Sequence, residues 1–239
     1  MAFDNVTRWN WSATKLEEND GSVSDDDQRK IVTYAIYLVQ GLYVAVANFL
    51  IFASIMRYNQ MRQQKAYIII AALALADAIS GTAFLSASLY RIPLIVTGRH
   101  REMVNSWYCM GTVHCVLFLL GNPMAAVMLF LVSFDRLLAT VAPITYFKLD
   151  QSYAYRAWSA FLTLCVLFFL ALVTASYFEP RDDPNKLYPI LCNSNAAIGN
   201  VLFRQIYYST RVLFSAASVV LYVAIPVLFK RYIQQVGAR

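Results

Sequence analysis

Asp135 and Arg136 stand side by side at the end of a long apolar run that begins near Trp107. Charge at the end of a membrane-length helix is costly, and ionisable residues in such segments are functional candidates by default. Asp77 is buried deeper in another apolar run, Leu73-Ala74-Leu75-Ala76-Asp77. A carboxylate at mid-membrane costs about 2.5–3.5 kcal/mol on insertion scales. It is either a neutral or water-bridged structural residue or an interior polar hub. His114, Phe118 and Asn122 recur at i, i+4 and i+8 and so share one helical face. That face either lines a cavity or is a stripe buried against neighbouring helices. Arg204, Tyr208, Arg211, Ser215, Ser218 and Tyr222 also keep to one face of an apolar segment. Such a stripe should meet protein or water rather than lipid. Arg211 falls near a membrane boundary, where it either snorkels or binds an anion. None of these groups forms paired carboxylates, a Ser-His pair or an HExxH motif, so the chain does not read as an enzyme.

The elements that must hold these residues are membrane helices. Of 239 residues, 59% are hydrophobic and 14% charged, and mean hydropathy is +0.49. Soluble domains carry about a quarter charged residues. The 16 Tyr and 15 Phe suit membrane interfaces. The net charge of +6 is not concentrated in a basic block with interleaved aromatics, so nucleic acid is not an expected partner. Cys115 and Cys165 lie inside apolar runs, Cys109 and Cys192 at the edges of runs. No CxxC or Cys/His spacing suggests a metal, and no cofactor is implied.

Residues 1–30 read as a polar, acidic, disordered tail, with no apolar run after Met1 to act as a cleavable signal. Asn5-Val6-Thr7 and Asn10-Trp11-Ser12 are acceptor sequons for glycosylation and favour a lumenal or extracellular N-terminus. A transmembrane bundle follows over residues 31–229, with spans at 31–56, 66–90, 107–138, 157–178 and 201–229. Residues 230–239 form a short tail on the other side. The third span is too long to cross upright and must tilt or extend past the interface. Pro123 should kink it. Asn48 lies in the first span, where one Asn commonly makes a helix–helix hydrogen bond.

The positive-inside rule does not decide orientation. With the N-terminus outside, nine of the 20 Lys and Arg are inside. Net charge separates the sides better, at +7 inside and zero outside. The sequons and the edge cysteines agree with a plasma-membrane protein whose C-terminus is cytoplasmic.

Together these motifs resemble the first five helices of a rhodopsin-like G-protein-coupled receptor. Asn48 is similar to that family's first-helix Asn, Asp77 to its second-helix Asp, and Asp135-Arg136 to its third-helix ionic motif. Trp158 matches the fourth-helix Trp, and Pro226 is a candidate for the fifth-helix Pro. The aromatic-rich character looks most like the large nematode-type chemoreceptor families. The resemblance implies an all-α bundle of five transmembrane helices, a disulfide between Cys109 and Cys192, and an intramembrane hub of Asn48 and Asp77. It implies G-protein coupling through Arg136, which pairs with Asp135 at rest. It also implies an outer ligand pocket near His114, Phe118, Asn122, Tyr208, Arg211 and Ser215. The partners it implies are membrane lipid, a heterotrimeric G protein, an unknown extracellular ligand and a receptor oligomer.

The departures are specific. Leu137 stands where the family usually has Tyr. Cys109 lies 27 residues before Arg136, two more than usual. Phe118 replaces the amine-binding Asp, which argues against a monoamine ligand. Pro226 lies deeper than the family's fifth-helix Pro. The sixth and seventh helices have no counterpart before Arg239, so the expectation is a truncated form without autonomous signalling. The competing expectation is a transporter or channel subunit with Asp77, Asn122 and Arg211 on a solute path.

Overall fold

A computed structural model describes residues 25–178 and 187–237, with side chains described as far as Lys230. Asn5 and Asn10 lie outside the described residues, as do residues 179–186 of the loop before Cys192. Five helices are long and apolar enough to cross a membrane: α1 (Asp25–Arg57), α3 (Lys65–Val96), α5 (Val113–Val141), α7 (Gln151–Tyr177) and α9 (Val201–Gly237). Short helices α2 (Asn59–Arg62), α4 (Ser106–Met110), α6 (Pro143–Lys148) and α8 (Ser194–Ala197) lie in the connections. Among the described residues the bundle is helical apart from one two-residue ladder, in which Met103 pairs with Pro189 and Val104 with Tyr188.

α3 and α5 form the centre. α3 packs on α1 and on α5, α7 lies across both α3 and α5, and α9 packs chiefly on α5. Large apolar residues on α1 and α9, such as Val39, Tyr43, Leu213 and Val223, remain exposed. In water this would be a liability; in a bilayer it is the ordinary lipid-facing surface.

Small residues set the closest helix contact. A Cβ added at Gly41 would lie 2.7 Å from the Leu85 nitrogen, and one at Gly81 would lie 2.6 Å from the Ala45 nitrogen. The backbones of α1 and α3 meet there because neither glycine has a side chain. Close backbone approach through small residues is how membrane helices gain packing without a hydrophobic drive.

The helices depart from the expected spans at their ends. α1 begins at Asp25 rather than at residue 31, with Asp25, Asp26 and Asp27 in its first turn, where carboxylates favour the helix dipole. Asp27 is buried and lies 3.3 Å from both Lys30 Nζ and His100 Nε2, which ties this turn to the next connection. α3 runs on past Tyr90 and through Pro93 to Val96. The expected third span is not one helix. α4 ends at Met110, Gly111 and Thr112 turn the chain, and α5 starts at Val113. The excess length of the expected span is taken up by this break.

Candidate functional site at the two ends of α5

At one end of α5 a disulfide joins Cys109 to Cys192. The turn of α4 presents Cys109, and Asn105 caps that turn by accepting from the Tyr108 amide at 2.8 Å. The segment around Cys192 is then fixed through its carbonyls. Tyr90 Oη donates to the Ile190 carbonyl at 3.1 Å. Arg91 Nε donates to the Leu191 carbonyl at 2.8 Å, and Arg91 Nη2 to that of Cys192 at 2.5 Å. His114 Nε2 lies 3.1 Å from the same Cys192 carbonyl. A carbonyl only accepts, so Nε2 carries the proton. Cys192 itself adopts φ +40, a conformation that non-glycine residues hold only when their surroundings over-determine it. Here the disulfide and two donors on one carbonyl do so.

Below this cap, α5 and α9 are joined by polar contacts. The Tyr207 hydroxyl donates to the Phe118 carbonyl at 3.0 Å and accepts from Asn122 Nδ2 at 3.3 Å. Phe118 sets its ring edge-on to Phe84 of α3, with centroids 4.9 Å apart. Further along, Ser133 Oγ donates to the Leu129 carbonyl at 2.9 Å and accepts from Ser218 Oγ at 2.5 Å.

The other end of α5 carries Asp135 and Arg136, which point apart. Successive helical residues do not face each other. Asp135 is buried, and its Oδ2 accepts from the Tyr146 hydroxyl of α6 at 3.1 Å. Its Oδ1 has no hydrogen-bond partner among the described residues. Burial, with the Asp135 carboxylate adding to it, pushes the Tyr146 phenol up to about 12, so this donor keeps its proton at physiological pH. Lys65 secures α6 from the start of α3. It donates to the carbonyls of Tyr146 and Leu149 and lies 3.8 Å over the Tyr146 ring. The Asp135–Arg136 pairing expected at rest is absent among the described residues: Tyr146 takes one carboxylate oxygen, Oδ2, and Arg136 lines the neighbouring crevice. Arg136 is exposed and lines a crevice of about 640 Å³ between α5 and α9. Thr140 and Pro143 complete one wall, and Tyr222, Pro226 and Phe229 the other. Pro226 has no amide hydrogen and leaves the Tyr222 carbonyl without its usual helical donor.

The remaining sequence candidates are placed as follows. The Asn48 amide donates to the Val44 carbonyl of its own helix at 3.0 Å. No hydrogen bond joins it to half-buried Asp77 among the described residues, so the two do not form a hub through direct contact. Trp158 packs against the core made by Ile68, Ala72, Met128 and Val132. Of the six pocket candidates, His114, Phe118 and Asn122 are engaged inside the bundle. Tyr208 and Arg211 are exposed and Ser215 is half-buried. Among the described residues no hydrogen bond or ring contact joins these three to the α5 residues. The buried face of α9 carries Ser218, which belongs to the expected stripe, and Tyr207, which does not, so the stripe overlaps the packed face only in part.

Sequence reasoning missed Tyr207, Arg91, Lys65 and Tyr146. The spacing of Tyr207, Phe214, Ser218 and Ile225, at +7, +11 and +18, is an equally regular face and could have revealed Tyr207. Lys65 and Tyr146 meet across 81 residues of sequence and left no local signal. A scan against protein-family models and a search of curated proteins both return no match for the chain.

Proposed function

We propose that this protein is a ligand-sensing membrane receptor of the rhodopsin-like G-protein-coupled type, with chemosensory or peptide ligands as the class it serves. The observation that carries the reading is the polarity of α5. One of its ends is tied by His114 to the Cys192 carbonyl, beside the Cys109–Cys192 disulfide, and the other presents Arg136 to an open crevice between α5 and α9. A receptor needs both features on one rigid element, since a ligand at one end must be sensed by a partner at the other. The Tyr207–Asn122 contact and the Ser133–Ser218 contact couple α9 to α5 between those ends. In this reading the N-terminus, its sequons and the disulfide are extracellular, and Arg136 is cytoplasmic in the plasma membrane.

The test is association with nucleotide-free heterotrimeric G proteins by the full chain in nanodiscs. The reading predicts binding to at least one G-protein class that Arg136→Ala weakens about tenfold, the cost of one charge-assisted contact. Binding to none of the classes, or equal binding by the variant, would overturn it.

A further inference from the structure

We propose that the crevice between α5 and α9 is a binding site for an anionic phospholipid, with the lipid phosphate on Arg136 and an acyl chain along α9. The crevice has a volume of about 640 Å³, and among the described residues Arg136 is the one cation that borders it and no acidic residue lines it. Asp135, the nearest carboxylate in sequence, is buried on the other side of α5 against Tyr146. Arg136 is exposed and makes no ion pair or side-chain hydrogen bond among the described residues, so its charge is open to a ligand.

The rest of the lining separates into two zones. The Tyr222 hydroxyl can donate to a phosphate oxygen, whereas Thr140 Oγ1 already donates to the Arg136 carbonyl at 2.9 Å. Ile225, Pro226 and Phe229 form an apolar wall. That wall continues along α9 as exposed apolar surface, with Val219 at 61% and Val227 at 51% exposure. A free phosphate would use Arg136 and leave the apolar wall wet. A phospholipid uses both zones, and α9 is already a helix long and apolar enough to lie in a bilayer.

The charge around the site agrees. This end of the bundle gathers Arg57, Arg62, Lys65, Arg136, Lys148, Arg156 and Lys230, against Asp135 and Asp150. Basic residues beside a membrane helix concentrate anionic headgroups. The inference rests on the chain spanning a membrane and not on its being a receptor, so either can fail without the other.

The experiment is native mass spectrometry of the full chain released from vesicles of phosphatidylcholine with one-fifth phosphatidylserine. Wild type should retain phosphatidylserine over phosphatidylcholine. Arg136→Gln should lower that preference about fivefold, the effect of one basic residue at an anionic surface. Lys148→Gln, an exposed cation outside the crevice, should lower it far less than Arg136→Gln does. A competing arm adds sn-glycerol 3-phosphate, which should not displace the lipid because it has no acyl chain. The proposal is overturned if wild type shows no preference, if Arg136→Gln keeps it, if Lys148→Gln lowers it as much, or if the soluble phosphate displaces the lipid. Arg136 is exposed, so the variant should fold; a melting temperature matching wild type checks this. Should Arg136→Gln melt lower, Tyr222→Phe removes a crevice hydroxyl instead, and an unchanged preference there overturns the proposal.

Discussion

The Tyr146 hydroxyl donates to Asp135 at 3.1 Å while the adjacent Arg136 faces away, into the crevice beside α9. Two neighbouring charged residues therefore serve different elements. Asp135 holds α6 against the bundle, and Arg136 is left free for a ligand.

Removing the hydroxyl should loosen α6 without touching the crevice. Tyr146→Phe is expected to cost about 1 kcal/mol, a typical net hydrogen-bond contribution. Hydrogen exchange should quicken over residues 143–149 and stay unchanged in α1. Exchange that stays slow in α6 would show that Lys65 alone secures it.

The same contact has a pH signature. The folded-state value of about 12 lies above the ordinary phenol value of 10.0, so the contribution is complete below about pH 10. It is lost as pH rises through 12. The difference in melting temperature between wild type and Tyr146→Phe should accordingly be flat from about pH 6 to 9. A difference that shrinks within that interval would contradict the assignment.

Closure of a loop across 83 residues by the Cys109–Cys192 disulfide should contribute substantially to stability. Cys109→Ser with Cys192→Ser is expected to cost about 2–5 kcal/mol. Non-reducing mass spectrometry of wild type should give one cross-linked peptide pair, with Cys115 and Cys165 as free thiols. Free thiols at positions 109 and 192 would refute the bridge.

Gly81→Val tests the contact between α1 and α3. Its side chain would run into the Ala45 backbone, and overpacking of this kind costs about 1–3 kcal/mol. A lower melting temperature is expected, and Gly98→Ala is no control because Gly98 has positive φ. Gly111→Ala is a better one, since its nearest neighbours lie at 3.5 Å or beyond. Equal melting of Gly81→Val and wild type would contradict the packing.

Much of this architecture could be read from composition and spacing. Runs of about 20 apolar residues located all five long helices, because a bilayer imposes that length on any crossing segment. The pairing of Cys109 with Cys192 was implied by resemblance and agrees with the structure. The misreadings share a cause. The apolar run ends the second span at residue 90, yet α3 continues to Val96, with Arg91 bound to the carbonyls of Leu191 and Cys192 about 100 residues away. The break at Gly111 and the choice of Tyr207 over Tyr208 likewise depend on contacts remote in sequence. A helical face shows which residues travel together, but its rotation is set by the neighbours it meets. No Asp135–Arg136 ion pair forms among the described residues, and the partner Asp135 finds instead, Tyr146, comes from α6, a separate helix 11 residues on.

The central claim is that the disulfide end of α5 is extracellular and the Arg136 end cytoplasmic. Two-sided cysteine labelling in intact cells tests it most directly, with buried Cys115 and Cys165 giving the background. An impermeant maleimide should label Arg101→Cys in intact cells and Lys148→Cys only after permeabilisation. Labelling of Lys148→Cys in intact cells, or of Arg101→Cys only after permeabilisation, would contradict the account.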